Sequence, residues 1–256
     1  MSATDVIPVR AFSDNYIWTI RDKTHAVVVD PGDAKPAIEY LEREGLELAA
    51  ILNTHHHADH VGGNAGLLQR WQVPVFGPLD PRIPEVTDRV GDGDRVRLPH
   101  FGLELDVLEI PGHTRTHIAF VGGGMMFCGD TLFAAGCGRL FEGTPQQMHT
   151  SLSRLAQAPD DTRVYCGHEY TLSNVRFARA AEPGNAAVAA LEQRAAEQRA
   201  KDLPTLPSDI AQEKATNPFL RVNEREVIAT ASRYTGKTLS DPVSVLAAIR
   251  EWKNNF

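Results

Sequence analysis

Thr54–His60, with the sequence THHHADH, is the feature that most restricts what this chain of 256 residues can fold into. The segment follows the apolar run Ala49–Asn53, which predicts a strand, and it precedes Gly62, Gly63 and a predicted helix. A strand that opens into a loop is where layered α/β proteins usually place their chemistry. Imidazole nitrogen and carboxylate oxygen are ligands for Zn²⁺, and also for Fe and Mn. The segment therefore predicts a metal site at a strand end.

The residues of this segment divide into two groups. Alternate residues of an extended segment point the same way, so His55 and His57 can hold one ion. Asp59 and His60 lie just beyond and can serve a second ion, whereas His56 is predicted to point away. The alternative is a surface accident or an affinity tag, but a tag is terminal and carries neither Asp59-His60 nor a glycine pair.

Three further segments supply a His or an Asp at the end of an apolar strand. They are residues 111–114 (PGHT), 127–131 (FCGDT) and 164–169 (VYCGHE), which contain His113, Asp130 and His168. Four such junctions on one domain are expected to converge at one rim, where their side chains complete the metal site.

The organisation of the chain changes near residue 168. Alternating or β-branched runs predict strands at Tyr16–Ile20, Ala26–Asp30, Ala49–Asn53, Val73–Phe76, Leu103–Ile110, Ile118–Val121 and Met125–Cys128. Helical spacing or propensity predicts helices at Ala34–Glu44, Asn64–Trp71, Pro145–Gln157, Asn185–Lys201 and Pro242–Trp252, the last with Asp241 as N-cap. We therefore expect a layered α/β domain over residues 1–168 and an all-helical domain over residues 169–256.

The charge and cysteine content restrict partners and compartment. Lys and Arg number 26 against 33 Asp and Glu, a formal charge of −7, which argues against nucleic-acid binding. The N-terminus lacks the pattern of a signal peptide, and no apolar run is long enough to cross a bilayer. The three cysteines are odd in number and form no CxxC motif, which fits a reducing cytosol. We expect a cytoplasmic monomer that contacts neither nucleic acid nor membrane.

The metal motif and its downstream partners resemble the metallo-β-lactamase superfamily. The motif HxHxDH at residues 55–60 is followed by His113, Asp130 and His168, as in that superfamily. The segments 54–63, 129–138 (GDTLFAAGCG) and 166–171 (CGHEYT), together with 217–221 (NPFLR) and the closing helix, resemble glyoxalase II, the hydroxyacylglutathione hydrolase family. The resemblance covers essentially the whole chain. It implies an αββα sandwich with the site at one edge of its two sheets, plus a C-terminal helical domain.

The resemblance also implies a ligand set and a reaction. One ion would be held by His55, His57 and His113, the second by Asp59, His60 and His168, and Asp130 would bridge the two. Zn²⁺ is the favoured metal, with Fe or Mn as alternatives. A water shared by two divalent cations should lose its proton near neutral pH, so a metal-bridging hydroxide is the expected nucleophile, with Asp59 and Asp130 as the catalytic carboxylates. The implied reaction is thioester hydrolysis of S-(2-hydroxyacyl)glutathione, above all S-D-lactoylglutathione, to D-lactate and glutathione, the second step of methylglyoxal detoxification.

Glutathione carries two carboxylates, so its pocket should contain cationic and hydrogen-bonding side chains. Arg139 stands where the family often has a Lys, Tyr170 matches the family's tyrosine, and Arg221 and Arg225 come from the helical domain. For each Arg the alternative is a solvated surface charge. Phe141 departs from family members that carry a Tyr there, which removes one hydrogen bond worth about 0.5–1.5 kcal/mol.

Several alternatives remain open from the sequence. Asp30 follows a predicted strand and precedes Pro-Gly, so it either orients a ligand histidine or only initiates a turn. The rival functions are a lactonase or broad thioesterase on the same scaffold, a glutathione persulfide dioxygenase with a single iron, and a non-catalytic glutathione- or metal-binding module.

Overall fold

The computed structural model describes residues 4–256. Residues 1–3 belong to the N-terminus in which the sequence predicts no signal peptide, and they lie outside the described residues. The chain divides into two compact units. The first comprises residues 4–109 and Thr116–Gly129, and the second comprises Ile110–Arg115 and Asp130–Phe256.

A six-stranded sheet forms the larger part of the first unit. Its strands are β1 (Asp5–Ala11), β2 (Asn15–Arg21), β3 (His25–Val29), β4 (Glu47–Leu52), β5 (Val75–Gly77) and β6 (Asp88–Arg89), in that order across the sheet. The first three strands pair antiparallel, and β3 to β6 pair parallel. Strand β1, which was not predicted from the sequence, is the edge strand and tolerates Pro8 there, since an edge N–H needs no partner.

Helix α1 (Ala34–Glu44) makes the crossover between the parallel strands β3 and β4, as such a connection requires. Asp33 caps its N-terminus by accepting from Lys35 N, and Gly45 ends it in the left-handed conformation at φ 66°. The face that contains Tyr40 and Leu41 is buried in the core below the sheet. The prediction of a helix over 34–44 is confirmed. Two short helices, α2 (Ala58–Val61) and α3 (Asn64–Leu68), follow β4.

Four further strands of the first unit form an antiparallel sheet. They are β7 (Arg95–Leu98), β8 (Leu103–Glu109), β9 (Ile118–Gly122) and β10 (Met125–Gly129), and they lie in the order β10-β9-β8-β7. A 3₁₀ turn at Pro99–Phe101 joins β7 and β8, and its His100 ring stacks on His25 of β3 at 3.9 Å between ring centres. This ring contact joins the turn between β7 and β8 to strand β3 of the six-stranded sheet.

Helices dominate the second unit. Its elements are the hairpin strands β11 (Leu132–Phe133) and β12 (Gly136–Cys137), α4 (Pro145–Leu155), the strands β13 (Arg163–Cys166) and β14 (Ser208–Asp209), and the helices α5 (Thr171–Ala181), α6 (Ala186–Ala200), α7 (Ile210–Thr216), α8 (Arg225–Thr235) and α9 (Pro242–Asn254). Asp241 caps α9 through Ser244 N, as predicted. The prediction that everything after residue 168 is helical is wrong at one place. Because the proline-containing stretch 203–207 cannot continue a helix, the chain is extended there, and β14 pairs antiparallel with β13.

Candidate metal centre and anion cavity

The histidines of the first unit converge directly after β4. Strand β4 ends at Leu52, and the loop that follows brings the Nε2 atom of His55 to 3.1 Å from Nδ1 of His57. The rings of His55 and His60 lie 4.2 Å apart, and both side chains are buried. Two imidazole nitrogens that face each other at this distance form a suitable pair for a cation between them.

Asp30 orients His60. Its Oδ1 accepts the Thr54 N–H at 2.7 Å, and its Oδ2 accepts the Thr54 hydroxyl at 2.6 Å and lies 3.1 Å from Nδ1 of His60. A carboxylate only accepts, so Nδ1 of His60 carries the hydrogen and Nε2 is left with the lone pair that a metal needs. Of the two interpretations of Asp30 that the sequence left open, the orienting role is the one that these contacts support.

We expect Asp30→Ala to lower the affinity for the metal about 10- to 100-fold, since the His60 ring loses the partner that fixes its tautomer and orientation. Titration of the apo-protein with metal against a competing chelator measures the effect. Asp33→Ala is the matched control, because it removes a carboxylate three residues further on that only caps α1. Equal metal affinities in the two variants would refute the orienting role.

Two more contacts around this loop were not predicted from the sequence. Asn15, at the start of β2, donates to Oδ2 of Asp59 at 3.0 Å and to its carbonyl at 3.3 Å. The ring of His56 lies 4.8 Å from the His57 ring between centres, and its Nδ1 faces Asp80, 3.6 Å from Oδ2. Hydrogen bonds from Arg82 hold the pKa of the Asp80 carboxyl well below its usual range, so this carboxyl is an anion facing His56.

The second unit brings the other three predicted ligands together. Nε2 of His113 lies 3.5 Å and Nε2 of His168 lies 3.3 Å from the same carboxylate oxygen, Oδ2 of Asp130. Nδ1 of His113 lies 2.9 Å from the Arg139 carbonyl, so Nδ1 is the donor and the lone pair of Nε2 faces Asp130. Gly138 is required here, because a Cβ atom at this position would lie 1.9 Å from the Asp130 carbonyl. One carboxylate between two imidazoles is the arrangement expected of a bridging ligand.

A cavity of about 380 Å³ opens beside Asp130 in the same unit. This volume falls within the ~300–1,000 Å³ that small-molecule sites usually have. The residues lining it include three cations, Arg139, Arg250 and Lys253, and the aromatic rings of Phe133, Phe141 and Tyr170. The Tyr170 ring stacks on the ring of His168 at 4.6 Å between centres. The cavity is therefore lined on one part by the basic side chains of Arg139, Arg250 and Lys253, called the basic wall below, and on another by the predicted metal ligands His113 and Asp130.

Arg250 and Lys253 were not predicted from the sequence. They lie three residues apart on α9, so both reach the same side of that helix. Arg250 is 5% exposed, its Nη1 donates to the Cys137 carbonyl at 2.6 Å, and its Nε has no hydrogen-bond partner among residues 4–256. Burial, together with the charges of Arg250 and Arg139, lowers the pKa of Lys253 to about 8. Arg139, Arg250 and Lys253 line one cavity, and none of them forms an ion pair with an acidic side chain among residues 4–256, so the cavity favours an anionic ligand.

Two predicted substrate contacts lie elsewhere. Arg221 donates through Nε and Nη2 to both carboxylate oxygens of Glu182, at 2.7 and 2.8 Å. Arg225 is exposed at the start of α8. Neither residue lines the cavity described above. A role of Arg221 and Arg225 in binding substrate therefore stays a prediction that no contact in this structure supports.

Comparison with known families identifies the class of the protein. Residues 11–168 match the model of the metallo-β-lactamase superfamily, and residues 169–256 match the model described as hydroxyacylglutathione hydrolase C-terminus. The chain is therefore a metallo-β-lactamase-fold protein with a C-terminal helical part, which confirms the fold predicted from the sequence.

Relatives along the whole chain define the family more narrowly. A hydroxyacylglutathione hydrolase of Nitrosomonas europaea is 54% identical over 98% of this chain and 96% of its own length. One of Methylobacillus flagellatus is 52% identical over 98% of this chain and 99% of its own length. The chain belongs to the hydroxyacylglutathione hydrolase family.

Solved structures share the fold. ETHE1 from Myxococcus xanthus is similar with a TM-score of 0.65 and 27% identity, over 98% of each chain. TTHA1623, solved in a di-iron-bound form, is similar with a TM-score of 0.59 and 29% identity, over 84% of this chain and all of its own. Among residues 4–256, no helix has the length and apolar character needed to cross a membrane.

Proposed function

We propose that this protein hydrolyses the thioester of S-(2-hydroxyacyl)glutathione, with S-D-lactoylglutathione as the main substrate, to a 2-hydroxy acid and glutathione. The observation that carries the proposal is the pairing, within one unit, of the His113–Asp130–His168 group with a basic cavity. Membership of the hydroxyacylglutathione hydrolase family supports the same reaction.

The proposed metal centre uses the seven residues predicted from the sequence. His55, His57 and His113 would hold one divalent ion, Asp59, His60 and His168 the other, and Asp130 both. The donor set fits such ions, because it consists of imidazole nitrogens and carboxylate oxygens. The Asp30 carboxylate binds Nδ1 of His60 and the Arg139 carbonyl binds Nδ1 of His113, so each ring has its Nε2 lone pair for a metal. Zn²⁺ is favoured, with Fe or Mn as alternatives. When bound, the ions supply Lewis acidity toward the thioester carbonyl and activate a water molecule.

Hydrogen bonds and close contacts within the chain position the two carboxylates, Asp59 and Asp130, that we propose as catalytic. Asn15 donates to Oδ2 of Asp59 and so fixes the side chain of this proposed ligand. Asp130 presents one oxygen toward two imidazoles, which keeps its negative charge at the place where the ions are needed. These contacts explain how Asp59 and Asp130 would serve catalysis through the ions.

The basic wall would bind the carboxylates of glutathione. Arg139, Arg250 and Lys253 offer charge-assisted hydrogen bonds, and Tyr170 adds a hydroxyl group. Phe141, a residue that is 63% exposed, lines the same cavity, so its ring can contact the tripeptide but cannot donate a hydrogen bond to it. Specificity for glutathione over other thiols would then come from recognition of its carboxylates.

We also propose that the protein is a cytoplasmic monomer. All three cysteines are buried thiols, which fits a reducing compartment. Gel filtration with light scattering, together with fractionation of cells, tests both statements.

The function is tested with purified protein of measured metal content. We expect two metal ions per chain and fast release of thiol from S-D-lactoylglutathione. A lactoyl thioester of N-acetylcysteamine, which has the same acyl group but no carboxylate, should be hydrolysed with a much higher KM. Hydrolysis of lactones in preference to the thioester would favour the lactonase alternative, and one iron per chain would contradict the dinuclear centre. Metal-loaded protein that leaves the thioester intact would favour a binding module.

A further inference from the structure

The hairpin formed by β11 and β12, residues 131–138, lies between Asp130 and Arg139 and is held by side chains from the helices that follow it. Asn217 Nδ2 lies 3.1 Å from the Phe133 carbonyl and 2.8 Å from the Gly136 carbonyl. Three further backbone groups of the hairpin are bound by other helical residues: Ala134 O accepts from Asn174, Ala135 N donates to Glu213, and Cys137 O accepts from Arg250. The hairpin is therefore held by side-chain contacts to its backbone from α5, the α7 region and α9.

Glu213 is the unusual member of this set. Its side chain is fully buried on α7, and its Oε2 accepts the Ala135 N–H at 2.9 Å and an Asn217 N–H at 3.0 Å. Burial raises the pKa of this carboxyl to about 7, although the hydrogen bonds from Asn217 and Ala135 act in the opposite direction. Burying a carboxyl is unfavourable unless its hydrogen bonds compensate, and Glu213 does not line the cavity. Its contacts point to a role in fixing the hairpin.

The backbone of Ala135, whose N–H binds Glu213, has a conformation that needs support from its surroundings. Ala135 has φ 53°, in the left-handed region that residues other than glycine seldom adopt. Such a conformation persists when its surroundings determine it. The hydrogen bond from Ala135 N to the Glu213 carboxyl is the contact that holds it at the tip of the hairpin.

The two ends of the hairpin lead to two of the predicted metal ligands. At one end, Asp130 directly precedes the hairpin, and Gly138 N donates to the Thr131 carbonyl at 3.2 Å. At the other end, the Arg139 carbonyl accepts from Nδ1 of His113. A shift of the hairpin therefore moves the backbone of Asp130 and the partner that orients His113.

We propose that Glu213 is a positioning residue for the metal centre: by accepting the Ala135 N–H it fixes the hairpin that places Asp130 and orients His113. This inference rests on the proposed function, because it takes Asp130 and His113 as metal ligands. Glu213 itself touches neither substrate nor metal. Through the hairpin, Glu213 links helix α7 to the proposed metal ligands Asp130 and His113.

The test compares four variants of the full-length, metal-loaded protein. Glu213→Met removes the acceptor but keeps the bulk, Glu213→Gln keeps the acceptor, and Asn217→Ala removes the neighbouring donor. Thr230→Val is the matched control, since the Thr230 hydroxyl is buried and donates to the Ala181 carbonyl within the helices. Metal affinity by chelator competition, melting temperature, kcat and KM are measured for each.

We expect Glu213→Met to lower metal affinity and kcat roughly tenfold or more. Asn217→Ala should change both in the same direction, because Asn217 also holds the hairpin, through the Phe133 and Gly136 carbonyls. If the Met variant does not fold, this variant shows whether the position of the hairpin governs the metal centre, and unchanged metal affinity and kcat in it would overturn the inference. Glu213→Gln should restore both to within about twofold of wild type, because an amide oxygen still accepts the Ala135 N–H. Thr230→Val should lower the melting temperature while leaving metal affinity, kcat and KM unchanged.

The following results would overturn the inference. A Met variant that only melts earlier, as the control does, would make Glu213 a purely structural residue. A Gln variant as impaired as the Met variant would exclude the acceptor as the cause. A wild-type protein without bound metal or thioesterase activity would refute the proposed function and this inference with it, whereas a normal wild type beside an unaffected Met variant would refute the inference alone.

Discussion

Asp130→Asn is expected to lower kcat by about a thousandfold, roughly 4 kcal/mol of transition-state stabilisation, and to reduce the metal bound per chain. The substitution keeps the shape of the side chain and removes its charge. Oδ2 of Asp130 lies within 3.5 Å of ring nitrogens of both His113 and His168, so one carboxylate would serve both ions. A neutral amide is a poor bridge between two cations, and its NH₂ group would face one of the imidazole lone pairs.

Metal analysis and steady-state kinetics on the same preparation measure this effect. Asp160→Asn is a suitable control, because Asp160 is an exposed carboxylate of the same unit that pairs only with Lys214 among the described ion pairs. The control should keep both the metal content and kcat of the wild type. Near-normal turnover of Asp130→Asn with two ions per chain would refute the bridging role.

Lys253→Met is expected to raise KM for S-D-lactoylglutathione about 10- to 100-fold with a much smaller change in kcat. A hydrogen bond to a charged group contributes roughly 1.5–3 kcal/mol to binding, which corresponds to this change in KM. Lys253 donates to Oδ1 of Asn174 at 2.5 Å, which directs its ammonium group along the wall of the cavity. The methyl thioether of Met keeps the bulk and gives no charge.

The pKa of Lys253 predicts how substrate binding depends on pH. Its pKa is lowered to about 8, so the ammonium group is charged below that pH and loses its proton as the pH rises through it. KM of the wild type should therefore rise above pH 8, and binding of the anionic substrate should take up a proton there. In Lys253→Met this rise should disappear. Lys237 is an exposed lysine of the same unit, so Lys237→Met should behave as wild type. A KM that is constant from pH 7 to pH 9.5 in the wild type would contradict the assignment.

The sequence by itself determined the fold class and the residues proposed as metal ligands. Residues 54–60 lie on one short stretch of chain, and His113, Asp130 and His168 each follow an apolar strand that periodicity reveals. Both kinds of signal are local, since strand alternation and helix spacing depend on neighbours in sequence. The helix over Ala34–Glu44 and the capped helix after Asp241 were predicted for the same reason.

Only the tertiary structure decided which polar residues support these ligands and which form the cavity. Asp30 reaches His60 across 30 positions, Arg250 reaches Cys137 across 113, and Glu213 reaches Ala135 across 78. No periodicity links such pairs, because their contact depends on how the elements pack. Packing likewise places Arg221 against the Glu182 carboxylate, whereas the sequence resemblance had suggested that Arg221 binds glutathione. The THHHADH motif thus specified the metal chemistry locally, whereas the orientation of its His60 and the basic cavity depend on distant residues that only folding brings together.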